Sequence, residues 1–248
     1  MTKLLSLLLT ASLVLLAACA SQTVVPPPKQ ASVYFQEGEE FFERGLYQDA
    51  IVSWEKVRDS YYSPELNALA ELKIAEAYDL AEQYIEASVA YEQFLQNHPD
   101  SPRVAEVLHK LGLAYFKQMR AIDQDQTATL YALNAFRTLK QRYPEYRLRE
   151  EVDTYLNRCI NQLANHELYV GRFYLKNKNY QAAIRRFEGI FVRYPNYLDR
   201  DRTYYYLGQA YLKNGQRDQA SEAFNTLFRE FPVSEYIISA QKFVEANY

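Results

Sequence analysis

One spaced pattern returns four times along this chain of 248 residues and restricts what it can fold into. Each copy places an aromatic residue four positions after an alanine, an apolar residue three positions later and a proline five positions beyond that. Residues with offsets of four and three share one face of a helix, and a proline cannot continue that helix. The copies are Ala87, Tyr91, Phe94, Pro99; Ala132, Phe136, Leu139, Pro144; Ala183, Phe187, Ile190, Pro195; and Ala220, Phe224, Leu227, Pro232. Each copy predicts a helix, and a looser copy at Ala50, Trp54 and Val57 predicts another.

A second signature lies upstream of these helices. Its members are Leu207, Gly208, Tyr211, Gly215; Gly171, Tyr174; Ala75, Tyr78; and Gly38, Phe41, Gly45. At this spacing the chain resembles the tetratricopeptide (TPR) helix-turn-helix repeat, in which small residues lie where two antiparallel helices cross. The resemblance implies an all-α fold, a right-handed superhelical solenoid of about five TPR repeats. Residues 235–247 predict a C-terminal capping helix.

The period of the repeats breaks in the middle of the chain. Counted from corresponding positions, the repeats start at Ala31, Ala68, Ala105, Ala164 and Asp201, in steps of 37, 37, 59 and 37 residues. The excess predicts an insertion at about residues 120–127 and one unusually long helix over residues 148–176. We therefore divide the array into repeats 1–3 (residues 31–146) and repeats 4–5 with the long and capping helices (residues 147–248).

The N-terminus has the features of a bacterial lipoprotein signal. Lys3 precedes an apolar stretch over residues 4–16, and Leu16, Ala17 and Ala18 lead directly to Cys19. The pattern predicts a signal peptide over residues 1–18, cleaved before Cys19, which then carries covalent diacylglycerol and an N-acyl chain such as palmitate. Residues 19–30 predict a flexible linker. No acidic residue follows Cys19, which favours the outer membrane, with the protein facing the periplasm.

Residues for catalysis or metal binding do not cluster in the sequence. His98, His109 and His166 lack the i, i+4 spacing of a helical metal pair, and Cys159 lies on the apolar stripe of the long helix. His98 takes a position that other repeats fill with an aromatic residue, which indicates packing. We therefore expect a protein that is not an enzyme and has no catalytic residues, no metal and no cofactor beyond the lipid.

Charge differs between the two ends of the repeat array. Residues 31–98 contain 14 acidic and 4 basic residues, whereas residues 164–248 contain 9 acidic and 12 basic residues. The basic residues Lys176, Lys178, Arg185, Arg186 and Arg193 predict a surface that pairs with carboxylates of a protein partner. The acidic N-terminal part disfavours nucleic acid, which is not expected as a partner.

Several features together resemble the BamD (ComL) family of TPR lipoproteins in the outer-membrane β-barrel assembly (Bam) machinery. The shared features are the lipobox at Cys19, the acidic insertion around Asp123 and Asp125, the long helix running into Glu167, and the segment 182–195. The resemblance implies a scaffold that binds BamA and helps insert outer-membrane proteins, with other Bam lipoproteins as possible partners.

The family also implies which residues bind. The C-terminal repeats would bind a BamA-like barrel protein through Arg186 and its neighbours Arg185, Arg193, Lys176 and Lys178. The N-terminal repeats would receive unfolded outer-membrane proteins in a groove lined by Tyr34, Phe41, Tyr78 and Tyr115.

Two alternatives share some of these features. A TPR lipoprotein of pilus assembly would have a lipobox and repeats, but we expect a regular period there. A TPR protein of the Tol-Pal or cell-division type usually has an N-terminal coiled coil, whereas here only a short linker precedes the first repeat.

Overall fold

The computed structural model describes residues 30–60 and 63–247, and this part of the chain forms eleven α-helices and no strand. The helices are α1 Ala31–Glu43, α2 Tyr47–Asp59, α3 Pro64–Leu80, α4 Tyr84–Asn97, α5 Val104–Lys117, α6 Thr127–Arg142, α7 Arg149–Lys176, α8 Tyr180–Arg193, α9 Arg200–Lys213, α10 Arg217–Glu230 and α11 Tyr236–Asn247. The predicted signal peptide, Cys19 and nearly all of the linker lie outside the described residues. No helix in the described part is both long and apolar enough to cross a bilayer.

The helices pack as consecutive pairs, as expected for TPR repeats. Helices α1 to α10 each contact mainly the helix before and the helix after them in the chain, α11 contacts both α9 and α10, and further contacts join α5 to α7 and α7 to α9. This pattern of neighbour contacts is that of a repeat solenoid. The prediction of an all-α TPR solenoid is confirmed.

Four of the five helix crossings depend on a glycine facing an aromatic ring. A Cβ atom added at Gly38, Gly112, Gly171 or Gly208 would lie 2.4 to 2.7 Å from ring atoms of the second helix in the same repeat. The facing rings are Trp54, Phe136, Phe187 and Phe224. In the second repeat Ala75 takes the glycine position and Tyr91 the aromatic one, and both are fully buried. The small residues of the repeat signature are therefore explained by close approach of the ring.

The break in the period has the predicted structural cause. The long helix is present as α7, which begins one residue later than expected and ends at Lys176. The predicted insertion forms the connection between α5 and α6, residues 118–126. Side chains of α7 hold this connection, because Gln162 donates from Nε2 to the carbonyl oxygen of Arg120 over 2.8 Å and His166 Nδ1 lies 2.6 Å from that of Ile122.

The hydrophobic core consists of four clusters in chain order. The second cluster extends from Leu72 to Leu163, and the third begins with Ala164. The boundary between these two clusters therefore lies between adjacent residues in the middle of α7, and this helix contributes side chains to both clusters.

The last helix covers the end of the array. Ala240 of α11 is fully buried, and Phe243 packs on Phe224 of α10 with ring centroids 6.2 Å apart. Ile237 and Val244 pack against the same cluster. The expected capping helix is thus present.

Candidate functional site

The five basic residues predicted to bind a partner do not form one surface. Arg185, Arg186 and Arg193 line a cleft of about 310 Å³ on α8 together with Tyr174 of α7. Lys176 and Lys178 instead line a second groove of about 570 Å³ between α7 and α9. The basic residues therefore supply two separate candidate surfaces.

Within the first cleft, two of the three arginines are already paired within the chain. Arg186 Nη1 lies 3.0 Å from Glu167 Oε2, and Arg193 Nη2 lies 2.9 Å from Glu167 Oε1. Glu167 is 8% exposed, so a nearly buried carboxylate on α7 is neutralised by two arginines of α8. The hydrogen bond to Glu167 raises the pKa of Arg186 further above its usual value. Arg185 is exposed and forms no ion pair with any described carboxylate.

The second groove, named here the α7–α9 groove, combines basic and aromatic side chains. One side consists of Tyr169, Arg172, Phe173, Lys176 and Lys178, and the other of Tyr206, Gln209 and Lys213. Its volume is within the range of about 300–1,000 Å³ that is common for ligand pockets. The sequence interpretation found Lys176 and Lys178 but missed the rest of this surface. The repeat period gave a signal for it, because Tyr169 and Lys176 recur as Tyr206 and Lys213 one period of 37 residues later.

The aromatic residues predicted to line a substrate groove lie partly in the core. Tyr34, Phe41 and Tyr78 are half-buried and pack against the first hydrophobic cluster. Tyr115 is 9% exposed, and its hydroxyl donates to Glu92 Oε1 over 2.7 Å. Burial is the main cause that raises the pKa of Tyr115.

The same tyrosine–glutamate contact recurs two repeats later. The hydroxyl of Tyr211 donates to Glu188 Oε1 over 2.5 Å, also across a repeat boundary. Tyr115 thus has a structural contact, but its edge still lines a groove of about 520 Å³ with Tyr84, Ile85 and Tyr131.

Three lysines of repeats 2 and 3 form ion pairs with carboxylates of the preceding repeat. Lys73 lies 3.2 Å from Glu39, Lys110 lies 2.7 Å from Glu76, and Lys117 lies 3.1 Å from Asp79. Each lysine is on the first helix of its repeat, and each carboxylate is on the first helix of the repeat before it. These ion pairs form a ladder along one side of α1, α3 and α5.

The histidines and the cysteine have individual structural environments. His98 Nε2 lies 3.0 Å from Glu71 Oε2, and His109 is 6% exposed beside Tyr146. Cys159 is fully buried, and desolvation raises the pKa of its thiol to about 12. In the described residues no group of three or more histidines, cysteines or carboxylates could hold a metal ion.

Comparison with known proteins identifies relatives along nearly the whole chain. A family model described as "YfiO: Outer membrane lipoprotein" matches residues 27–223. The protein from Rickettsia prowazekii (strain Madrid E) named outer membrane protein assembly factor BamD is 29% identical over 248 residues, 100% of this chain and 98% of the relative. The protein of the same name from Caulobacter vibrioides is 26% identical over 235 residues, 93% of this chain and 77% of the relative.

Solved structures of TPR proteins are also similar, at low identity. The TPR2AB domain of yeast Sti1 covers 88% of this chain and 89% of its own, with 15% identity and a TM-score of 0.42. PilW, described as a type IV pilus biogenesis factor, covers 87% of this chain and 100% of its own, with 17% identity and a TM-score of 0.37. The family match covers most of the described repeats, and this chain therefore belongs to the YfiO family of outer membrane lipoproteins, the BamD family.

Proposed function

We propose that this protein is a non-enzymatic scaffold lipoprotein that takes part in the assembly of outer-membrane β-barrel proteins. The observation that carries the proposal is the match to a BamD assembly factor over the full chain, which includes the insertion and the long helix. TPR solenoids offer extended surfaces for protein partners, in agreement with a scaffold role. The alternative of a pilus-assembly or cell-division protein is not favoured by these relatives.

Attachment to the outer membrane would depend on the lipid at Cys19. The lipobox ending at Cys19 supports this, because several acyl chains at about 0.8 kcal/mol per buried methylene give stable anchoring. The domain would then face the periplasm. Lipid on Cys19 is tested by the uptake of labelled palmitate, which we expect to be lost in Cys19→Ala.

Partner contacts would be divided between the two ends of the array. The C-terminal repeats would bind a BamA-like barrel protein through the cleft of Arg185, Arg186 and Arg193. The α7–α9 groove with Lys176 and Lys178 would supply a second contact. The N-terminal repeats would receive unfolded outer-membrane proteins near Tyr34, Phe41, Tyr78 and Tyr115. Other Bam lipoproteins would add to the same complex.

Affinity capture from solubilised envelopes tests the proposed function. The lipidated protein is purified with its bound partners, which are identified by mass spectrometry. Stoichiometric recovery of a large barrel protein with periplasmic repeats supports the proposal. Recovery of pilus or peptidoglycan-associated proteins alone would contradict it.

A charge-reversal variant in the same capture experiment tests whether the cleft on α8 contacts the partner. Arg185→Glu changes an exposed side chain without disturbing Glu167, whereas Arg186 and Arg193 have a structural role. Arg147→Glu, an equal charge change at an exposed position outside both surfaces, is the matched control.

A further inference from the structure

The ion-pair ladder of the first three repeats does not continue into the last two. One position of the repeat is Lys73 in repeat 2 and Lys110 in repeat 3. The same position is Tyr169 in repeat 4 and Tyr206 in repeat 5. A second position is Glu39 in repeat 1 and Glu76 in repeat 2, and it is Arg172 in repeat 4 and Gln209 in repeat 5. The carboxylate position shared by Glu39 and Glu76 is therefore filled by a cation in repeat 4 and by an amide in repeat 5, on the same side of the repeats.

The replaced positions line the α7–α9 groove. Tyr169, Arg172 and Lys176 are spaced by three and four residues on α7, so they share one helical face. Tyr206 and Lys213 present the same residue types at the same spacing on α9. Each of the two helices that line the groove therefore contributes one tyrosine ring and one lysine at equivalent repeat positions.

The cations in this groove have no carboxylate partner. Within residues 30–60 and 63–247, no ion pair involves Arg172, Lys176, Lys178 or Lys213, and no carboxylate is among the residues that line the groove. The guanidinium of Arg172 lies over the Tyr206 ring, 4.9 Å from its centroid, and Lys213 lies 5.7 Å from the centroid of Phe243. These rings position the cations but leave their charge uncompensated.

Apolar surface is exposed beside these cations. Phe173 is 58% exposed and Tyr169 is 45% exposed, although both lie on the helix that forms the centre of the second half. Exposed aromatic side chains next to unpaired cations favour a ligand that has negative charge and an apolar side chain together.

We propose that the α7–α9 groove binds an extended acidic segment of a partner protein. Carboxylates of the segment pair with Lys176, Lys213 and Arg172, and an aromatic or aliphatic side chain packs on Phe173. A segment of peptide suits the site better than a lipid surface, because the cations line both sides of a groove between two helices and recur from α7 to α9 with the TPR period. The inference rests on the proposed scaffold function and names the chemistry that one of its surfaces recognises.

Peptide binding to the full lipidated protein, purified in detergent, tests this inference. The probe is a fluorescein-labelled eight-residue peptide with four aspartates, two phenylalanines and two serines, and its twin carries asparagine in place of aspartate. Fluorescence anisotropy reports binding. We expect the acidic probe to bind at least tenfold more tightly than the twin, with an affinity that falls as salt rises.

Two variants locate the site of binding. Lys176→Gln together with Lys213→Gln is expected to weaken binding of the acidic probe at least tenfold. Phe173→Ala should weaken it severalfold. The matched control, Arg147→Gln with Lys242→Gln, removes the same charge from exposed positions outside the groove and should stay within twofold of the unchanged protein. Circular dichroism of each variant checks that the helices are retained.

Three results would overturn the inference: equal binding of the asparagine twin, equal binding by the groove and control variants, or competition by phosphatidylglycerol vesicles but not by unlabelled peptide. The envelope capture is a separate readout. If capture recovers the barrel protein and the acidic probe does not bind, only the inference on the groove fails. If the probe binds and the barrel protein is absent, the proposed function fails.

Discussion

The contact between Gly208 and the Phe224 ring leaves no room for a methyl group. An added Cβ would lie 2.7 Å from two ring carbons, and both residues are held in packed helices. Either the ring or the helix must therefore shift. Because overpacking of a core costs about 1–3 kcal/mol, Gly208→Ala is expected to lower the free energy of unfolding by this amount. Urea denaturation measures the change.

A control for this substitution lies next to it on α9. Gln209→Ala changes a half-exposed side chain and should alter the free energy of unfolding by less than about 0.5 kcal/mol. If Gly208→Ala were as stable as the unchanged protein, the ring of Phe224 would not be fixed at the crossing.

The buried side chain of His109 should make the free energy of unfolding depend on pH in the acidic range. Burial is the main cause that lowers its pKa below the usual 6.5, while Glu151 opposes this shift and Arg147 adds to it. Below pH 6.5 the unfolded chain therefore takes up a proton that the folded state binds more weakly. The contribution of neutral His109 is complete above this pH and is lost as the pH falls toward the lowered pKa.

A variant isolates this contribution. His109→Gln removes the titrating group and retains a polar side chain beside Tyr146. We expect the difference in melting temperature between the unchanged protein and His109→Gln to be constant above pH 7 and to shift in favour of the variant between pH 6.5 and pH 5. A constant difference over the whole range would exclude a proton-linked role.

Glu167 joins α7 to α8 through ion pairs with two arginines. Removing Arg186 alone leaves Arg193 to pair with the carboxylate, whereas removing both arginines leaves a nearly buried charge without a partner. Unpaired buried groups cost about 1–3 kcal/mol, and more when charged. Arg186→Met with Arg193→Met is therefore expected to destabilise the protein by more than the sum of the two single changes. A double-mutant cycle in urea measures this coupling. Additive effects would show that the arginines act independently on stability.

The sequence predicted helices better than it predicted contacts between them. The long helix and the insertion followed from apolar spacing and from a broken period, because both are properties of one continuous segment. The pairing of Glu167 with Arg186 was not predicted, since the two residues are 19 positions apart and only the crossing of α7 and α8 brings them together. The contacts of Gln162 and His166 were hidden for a further reason. Their acceptors are backbone carbonyls, which no side-chain pattern identifies.

The candidate surfaces were predicted incompletely for the same reason, since they too depend on contacts between helices. Counting charges found Lys176 and Lys178, but charge alone could not separate arginines that pair internally from lysines that remain unpaired. Tyr115 was assigned to a substrate groove by the family resemblance, not by a pattern in the sequence. Its bond to Glu92 depends on the stacking of one repeat on the next.

Because helices of the solenoid contact mainly their neighbours, we expect structural damage to stay local. Removal of residues 236–248 deletes α11 and exposes the surface of Phe224, Leu212 and Leu227 that it covers. Because each repeat depends mainly on its neighbours, we expect faster amide hydrogen exchange in α9 and α10 and unchanged exchange in α1 to α4. Hydrogen exchange read by mass spectrometry measures this. A uniform loss of protection would contradict the pattern of neighbour contacts.

The shared helix α7 also affects how the molecule can move. Its 28 residues give a continuous rod of about 42 Å at a rise of ~1.5 Å per residue, and the middle of this rod belongs to two cores at once. In the part of the chain that the structure describes, α7 joins those cores without a loop that could act as a hinge, so a change in their angle must bend a hydrogen-bonded helix. A load applied near Lys176 is therefore transmitted by leverage to His166 and to the inserted connection that it holds.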